Sequence, residues 1–217
     1  MEELERSGTE QNRILYARHG IRMPMFGVSF TNLKRIAREY RNCSRQAMLL
    51  WNTENHDARM LATMVADPAI LGQDELCLWA EEADNYVLCG NVAMLTVRYP
   101  NHWMIAQGWI EHPSEWMSTI GWNTISILAA KQMKRSDADF RPLIDFIVKN
   151  IHKAPNRTRY AMNSALIAIG RSRKSLTPIA IKAGEVIGEV KVNHGQSGNA
   201  TPFAPNAIKE AVAVAAP

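Results

Sequence analysis

LIDFIVKNIHKAPNRTRYAMNSALIAIG (residues 143–170) holds two helical patterns separated by one short break. Leu143, Ile144, Ile147, Val148 and Ile151 recur at i, i+1, i+4, i+5 and i+8, the spacing of a single apolar face on a helix. Residues 154–156 interrupt the pattern. Asn156 stands where its side chain can accept an orphan backbone N–H of the helix that follows. One helix, a tight break and a second helix make a helical pair.

The same reading extends along most of the chain. Met60, Leu61, Met64 and Val65 repeat the stripe on a shorter helix. Breaks fall at residues 24–27, 52–55, 67–72, 99–101, 112–114, 136–137 and 171–175, with Ser114 and Asp137 as further caps. Alternation of period two is confined to residues 190–192. The expectation is roughly ten helices of about 10–18 residues, a pair every ~35–45 residues, which is the period of HEAT-type arrays. The fold class is therefore all-α, an α-α superhelix of HEAT-like helix pairs, with a helical bundle as the alternative. Residues 1–192 form one repeat domain in this reading. Residues 193–217, rich in Gly, Asn, Ser and Pro at their start, form a non-repetitive tail with a short helix over 207–216.

Composition narrows the function classes. Apolar residues make up 47% of the 217, which is incompatible with a disordered chain. No apolar run approaches the roughly 18 residues of a membrane span, and the acidic, polar start lacks the basic and apolar blocks of a secretory signal. The expected location is the cytoplasm, of bacterial type, on the nucleoid when bound to DNA. Cys43, Cys77 and Cys89 are odd in number and far apart, so they read as small buried or half-buried thiols, with no metal site and no cofactor expected. Charge is the more telling feature. The net value is only +4, but residues 13–45 carry eight basic side chains against Glu39 alone. Residues 52–90 carry eight acids against Arg59, and residues 151–184 carry seven basics and no acid. Two basic blocks flanking an acidic one point to a polyanionic partner, with solvated helix faces as the plain alternative.

Three stretches resemble the bacterial AlkD-like family of DNA-alkylation-repair alkylpurine glycosylases with HEAT-like repeats. FGVSFTNLKRIAREY (26–40) is similar to an early FGV-x-x-x-x-LR-x-IA segment. LLWNTENHDARMLA (49–62) is similar to an LW-x-S-x-x-HE-x-R-x-LA segment. NRTRYAMNSALIAIG (156–170) is similar to a late helix ending in an Ile-Gly pair. These residues also have plainer roles: Asp57 suits a helix N-terminus, His56 a cap or packing position, and Trp51 a core.

The resemblance implies a site built on an asparagine–tryptophan segment ending in aspartate, with a preceding aromatic, an arginine two helices later and a second tryptophan. A carboxylate there would stabilise the cationic sugar formed as the glycosidic bond breaks. In ADNYVLCGNV (83–92) Asn85 matches and Tyr86 replaces tryptophan, but Gly90 stands at the aspartate position. Trp122 and Asn123 lie near the arginine position, and Ser164 replaces the second tryptophan. Asp84 cannot substitute, because six residues turn a helix by about 240°; it reads as the N-cap. The candidate catalytic residues are thus Tyr86, Trp122, Asn123 and Asp84, none assigned. Candidate DNA contacts are Arg157, Arg159, Tyr160 and Lys153, aided by a helix N-terminus, with Lys34, Arg35 and Arg38. Three functions stay open: a monomeric binder of double-stranded DNA without sequence preference and with weak or no excision; an active 3-methyladenine/7-methylguanine glycosylase with a rearranged site; and a HEAT-like scaffold for an acidic protein.

Overall fold

The structure is a computed structural model that describes residues 1–40, 43–131, 135–196 and 198–214. Among them are fourteen helices and a single isolated antiparallel bridge, Gly8 with Val28. The chain is all-α. The helices outnumber the ten expected because several are a turn or two long and lack a full apolar period. The stretch 190–192 is irregular.

Packing divides the chain into two compact units, Met1–Pro100 with His194–Gly198, and Asn101–Asn193 with Asn199–Pro217. The first contains α1 (Glu2–Ser7), α2 (Glu10–Arg18), α3 (Phe30–Glu39), α4 (Ser44–Trp51), α5 (His56–Val65), α6 (Pro68–Leu71), α7 (Gln73–Glu82) and α8 (Tyr86–Thr96). Helix α5 is its centre: eight of its residues are buried, and it packs on α3, α4 and α8.

Asp57, placed at the start of α5 by its cap Asn55, is fully buried. Its Oδ2 accepts the backbone N–H groups of Phe26 (2.6 Å) and Gly27 (2.9 Å), and its Oδ1 accepts that of Val28 (2.9 Å). Gly27 sits at φ +79°, where a Cβ would meet Thr9 O at 2.5 Å. Its own carbonyl accepts from Thr9 N (3.1 Å) and Asn12 Nδ2 (3.0 Å). The FGV segment is thus a knot joining α2, α3 and α5, and only glycine fits its middle. Elsewhere in this unit Trp51 and Trp79 stack in parallel, with ring centroids 4.4 Å apart, and both are buried.

The second unit contains α9 (His102–Trp109), α10 (Glu115–Ala130), α11 (Asp137–Asn150), α12 (Asn156–Ser172), α13 (Thr177–Ile187) and α14 (Ala204–Val214). Helices α10 and α12 form its main pairing. The capping residues differ from expectation. Ser136 caps α11 in a reciprocal box with Asp139, so Asp137 is the first helical residue. Pro155 precedes α12, and Asn156 instead exchanges hydrogen bonds with the main chain of Asn193 at 2.8 and 2.7 Å. Ser114 holds the cap position of α10, but its side chain makes no cap bond. The terminal helix starts at Ala204 and buries Ala204, Pro205 and Ile208 against α12 and α13. Its seat is cut by two glycines. A Cβ on Gly170 would lie 2.6 Å from Ile208 Cδ1, and one on Gly184 would lie 2.8 Å from Pro205.

Replacing Asp57 by alanine would strand three buried backbone donors, each worth about 1–3 kcal/mol when unsatisfied. Asp57→Ala is expected to cost about 3 kcal/mol or more, read as a lower urea midpoint. A change under about 0.5 kcal/mol would show that the knot is held otherwise.

Candidate nucleic-acid interface

In the first unit the segment expected to carry chemistry opens α8. Its N-cap is Asn85, whose Oδ1 accepts from Leu88 N at 3.0 Å. Asp84, expected to be the cap, instead accepts from Asn85 Nδ2 at 2.8 Å and holds that amide in place. Extended backbone at Asn85 (φ −151°, ψ 156°) is the conformation a cap needs, which decides between the two neighbours. Behind Asn85 lies the buried His56 ring, with Nδ1 3.5 Å from Asn85 Nδ2 and the edge of Tyr16 against it at 5.7 Å between centroids. Burial pushes the His56 pKa below its ordinary 6.5 and outweighs the opposing pull of the Asp57 and Asp84 carboxylates.

Tyr86, the first residue of α8, is half-buried, and its hydroxyl meets His19 Nδ1 in a short hydrogen bond. Gly90 follows one turn later, half-exposed. A Cβ built there would find no atom within 4 Å. The position at which the resemblance implies an aspartate is therefore open space. Asp84 is exposed at the opposite edge of the cap.

The basic side chains of α3 divide between two uses. Arg35 is matched by Glu3 (3.2 Å) and Glu39 (3.3 Å). Lys34 and Arg38 instead line a groove of about 320 Å³ with Phe30, and Arg98 reaches it from the end of α8. Sequence reasoning missed Arg98 and Phe30. Asn91, Met94 and Arg98 fall on one face at helical spacing, and projecting α8 as a wheel would have found them.

In the second unit the candidates separate. Trp122 is fully buried and donates to Ile110 O at 3.1 Å, and at Gly121 a Cβ would strike Ile110 N at 2.8 Å. Trp122 is thus a packing residue where α10 crosses the end of α9. Neighbouring Asn123 is half-buried. Arg159 donates to Lys191 O and Ala154 O, both at 2.9 Å, so its guanidinium clamps two loops. The N-terminus of α12, expected to meet phosphate, already holds an anion of its own: Glu115 Oε1 accepts from Arg157 N at 2.6 Å. Arg157 and Tyr160 are half-buried, and Lys153 is exposed beside a smaller recess of about 240 Å³. Arg173 binds Arg135 O and Asp137 and lies over Phe140 at 4.1 Å. Of the six tryptophans, all but Trp116 are buried and belong to the core. Among the described residues no three of His, Cys, Asp or Glu come together as metal ligands, and no helix is long and apolar enough to cross a membrane.

A family model described as DNA alkylation repair enzyme matches residues 1–213. The chain belongs to that family. Among solved structures, this DNA alkylation repair family member is similar to a protein of a new family related to the HEAT-like repeat DNA glycosylases, with affinity for branched DNA structures. The two are 26% identical, the match covers 99% of this chain and 93% of the other, and the TM-score is 0.92. The all-α fold of this family member is accordingly of the HEAT-like kind. No curated protein matches the chain.

Because His56 is neutral in the folded state and its folded pKa lies below the unfolded 6.5, its contribution is present above about pH 6.5. That contribution is lost as pH falls through the folded value. Thermal melts from pH 7 to pH 5 should show a declining midpoint, and His56→Gln should flatten that decline whatever it does at pH 7. An unchanged slope would place the acid sensitivity elsewhere.

Proposed function

We propose that this protein binds DNA by its backbone, with preference for branched forms and none for sequence, and excises alkylated bases weakly or not at all. The observation that carries the reading is Gly90: open space where the resemblance implies a carboxylate, on a chain whose residues 1–213 match the family model. Breaking a purine glycosidic bond develops positive charge on the sugar, and Asp84, the carboxylate of the same segment, is engaged with Asn85. The affinity of the similar protein for branched DNA supports the choice of ligand. Lys34, Arg38, Arg98 and Lys153 supply exposed positive charge, and Tyr86 and Asn123 are half-buried polar groups. In this reading the protein works as a monomer in the cytoplasm, at the nucleoid, without cofactor.

With about five phosphates contacted, log K should fall against log salt with a slope near −4.5. Lys34→Gln with Arg38→Gln should make the slope shallower by about 2 and weaken binding on all sequences alike. Arg159→Ala should lower the melting temperature and leave the slope unchanged, since that side chain holds loops. Affinity that stays flat between low and physiological salt would refute DNA binding and favour a protein partner.

Release of 7-methylguanine or 3-methyladenine from methylated DNA should proceed barely above the spontaneous rate. Gly90→Asp should fold normally, given the space around Gly90. It should raise release by well under the roughly hundredfold that a fully preorganised group contributes, because the sequence also lacks the arginine and the second tryptophan that the resemblance implies. Robust excision by the parent would overturn the reading and turn attention to Tyr86.

A further inference from the structure

The groove shared by α3 and α8 combines positive charge with exposed apolar side chains. It is lined by Lys34, Arg38 and Arg98 with no carboxylate among its walls, while Phe30 and Met94 stand 46% and 48% exposed at its edges. Lys34 Nζ lies 4.5 Å from the centre of the Phe30 ring. Among the described residues none of the three cations has an ion-pair partner, whereas Arg13, Arg35, Arg59 and Arg173 all do. Three unmatched like charges around one concavity repel one another and focus a positive field on it, which an anion relieves. Half-exposed apolar side chains rimmed by charge mark a ligand surface.

Size selects the ligand. A pocket near 300 Å³ is at the small end of those that enclose organic ligands, enough for one nucleotide and far too small for a duplex. Its composition, cations beside an aromatic face, is that of sites that hold single-stranded nucleic acid by phosphate contact and base stacking. Asn91 donates to Val87 O at 3.0 Å through Nδ2, which leaves its Oδ1 as an acceptor. Met94 is one helical turn beyond Gly90, so the groove and the open position at Gly90 share a face of α8.

We infer that this groove captures one unpaired nucleotide at a DNA branch point, its phosphate held by Lys34, Arg38 and Arg98 and its base set against Phe30 and Met94. The inference rests on the DNA-binding reading above and gives branch preference a physical cause. Bases inside linear duplex are paired and cannot reach Phe30, while flaps and junction openings offer free ones.

The test uses the full-length protein and two oligonucleotide substrates, a flap whose first unpaired nucleotide is 2-aminopurine and a nicked duplex of the same sequence. The flap should bind roughly tenfold tighter, the magnitude of one stacked base, and the probe's fluorescence should fall on binding as it stacks. Phe30→Ala should abolish both effects, Phe30→Trp should keep them, and Arg98→Gln should weaken flap binding with a shallower salt slope. Tight flap binding with unchanged fluorescence, or with no loss in Phe30→Ala and Arg98→Gln, would overturn the groove as the site while leaving DNA binding in place. Failure of the parent to bind either substrate at low salt would remove both.

Discussion

Everything in the first unit depends on where Asp57 puts its charge. A carboxylate sealed from water must collect hydrogen bonds or lose its charge, and this one collects three backbone donors from consecutive residues, Phe26, Gly27 and Val28. The bond set fixes the entry to α3 against the start of α5. Since His56 precedes Asp57 and reaches Asn85, the same constraint sets the cap of α8. The orientation of Tyr86 and the opening at Gly90 are downstream of a charge that never meets a ligand.

Much of this was legible in the sequence. The helical period at 143–151 and the breaks between segments gave the helix-pair architecture, because apolar spacing is a direct record of which face is buried. The FGV and HD segments were recognisable too, although the local reading took Asp57 only as a residue suited to a helix end. Its partners lie about thirty residues away, and no local pattern encodes a tertiary acceptor. The choice between Asp84 and Asn85 as cap was missed for a related reason. Both residue types cap well, and backbone dihedrals set by the preceding turn decide between them.

Charge proved the least transparent property. Basic residues counted along the chain say nothing of which ones are turned inward. Arg159 and Arg173 serve as loop clamps, Arg35 answers two glutamates, and Glu115 occupies the helix end that seemed suited to phosphate. An arginine with several donors is drawn to unpaired carbonyls as readily as to anions. What distinguishes Lys34, Arg38 and Arg98 is the absence of a carboxylate from the groove they line, a property of tertiary packing and not of any one segment. Trp122 illustrates the same limit for aromatics: its neighbour Gly121 lets two backbones approach, and the indole fills the space beneath.

The seat of the terminal helix constrains how this sequence can drift. Gly170 and Gly184 have surrendered their side-chain volume to Ile208 and Pro205, atoms separated from them by thirty-eight and twenty-one positions along the chain. A methyl group at Gly170 becomes less crowded once Ile208 has shortened, although Ala180 Cβ would still lie 2.9 Å away, and a shortened Ile208 leaves a void that the methyl partly fills. Each change is harmful alone and less harmful beside the other, so the sites are epistatic. Lineages of this fold should therefore exchange them together, and the small residue at the end of α12 is a record of the helix that lies on it.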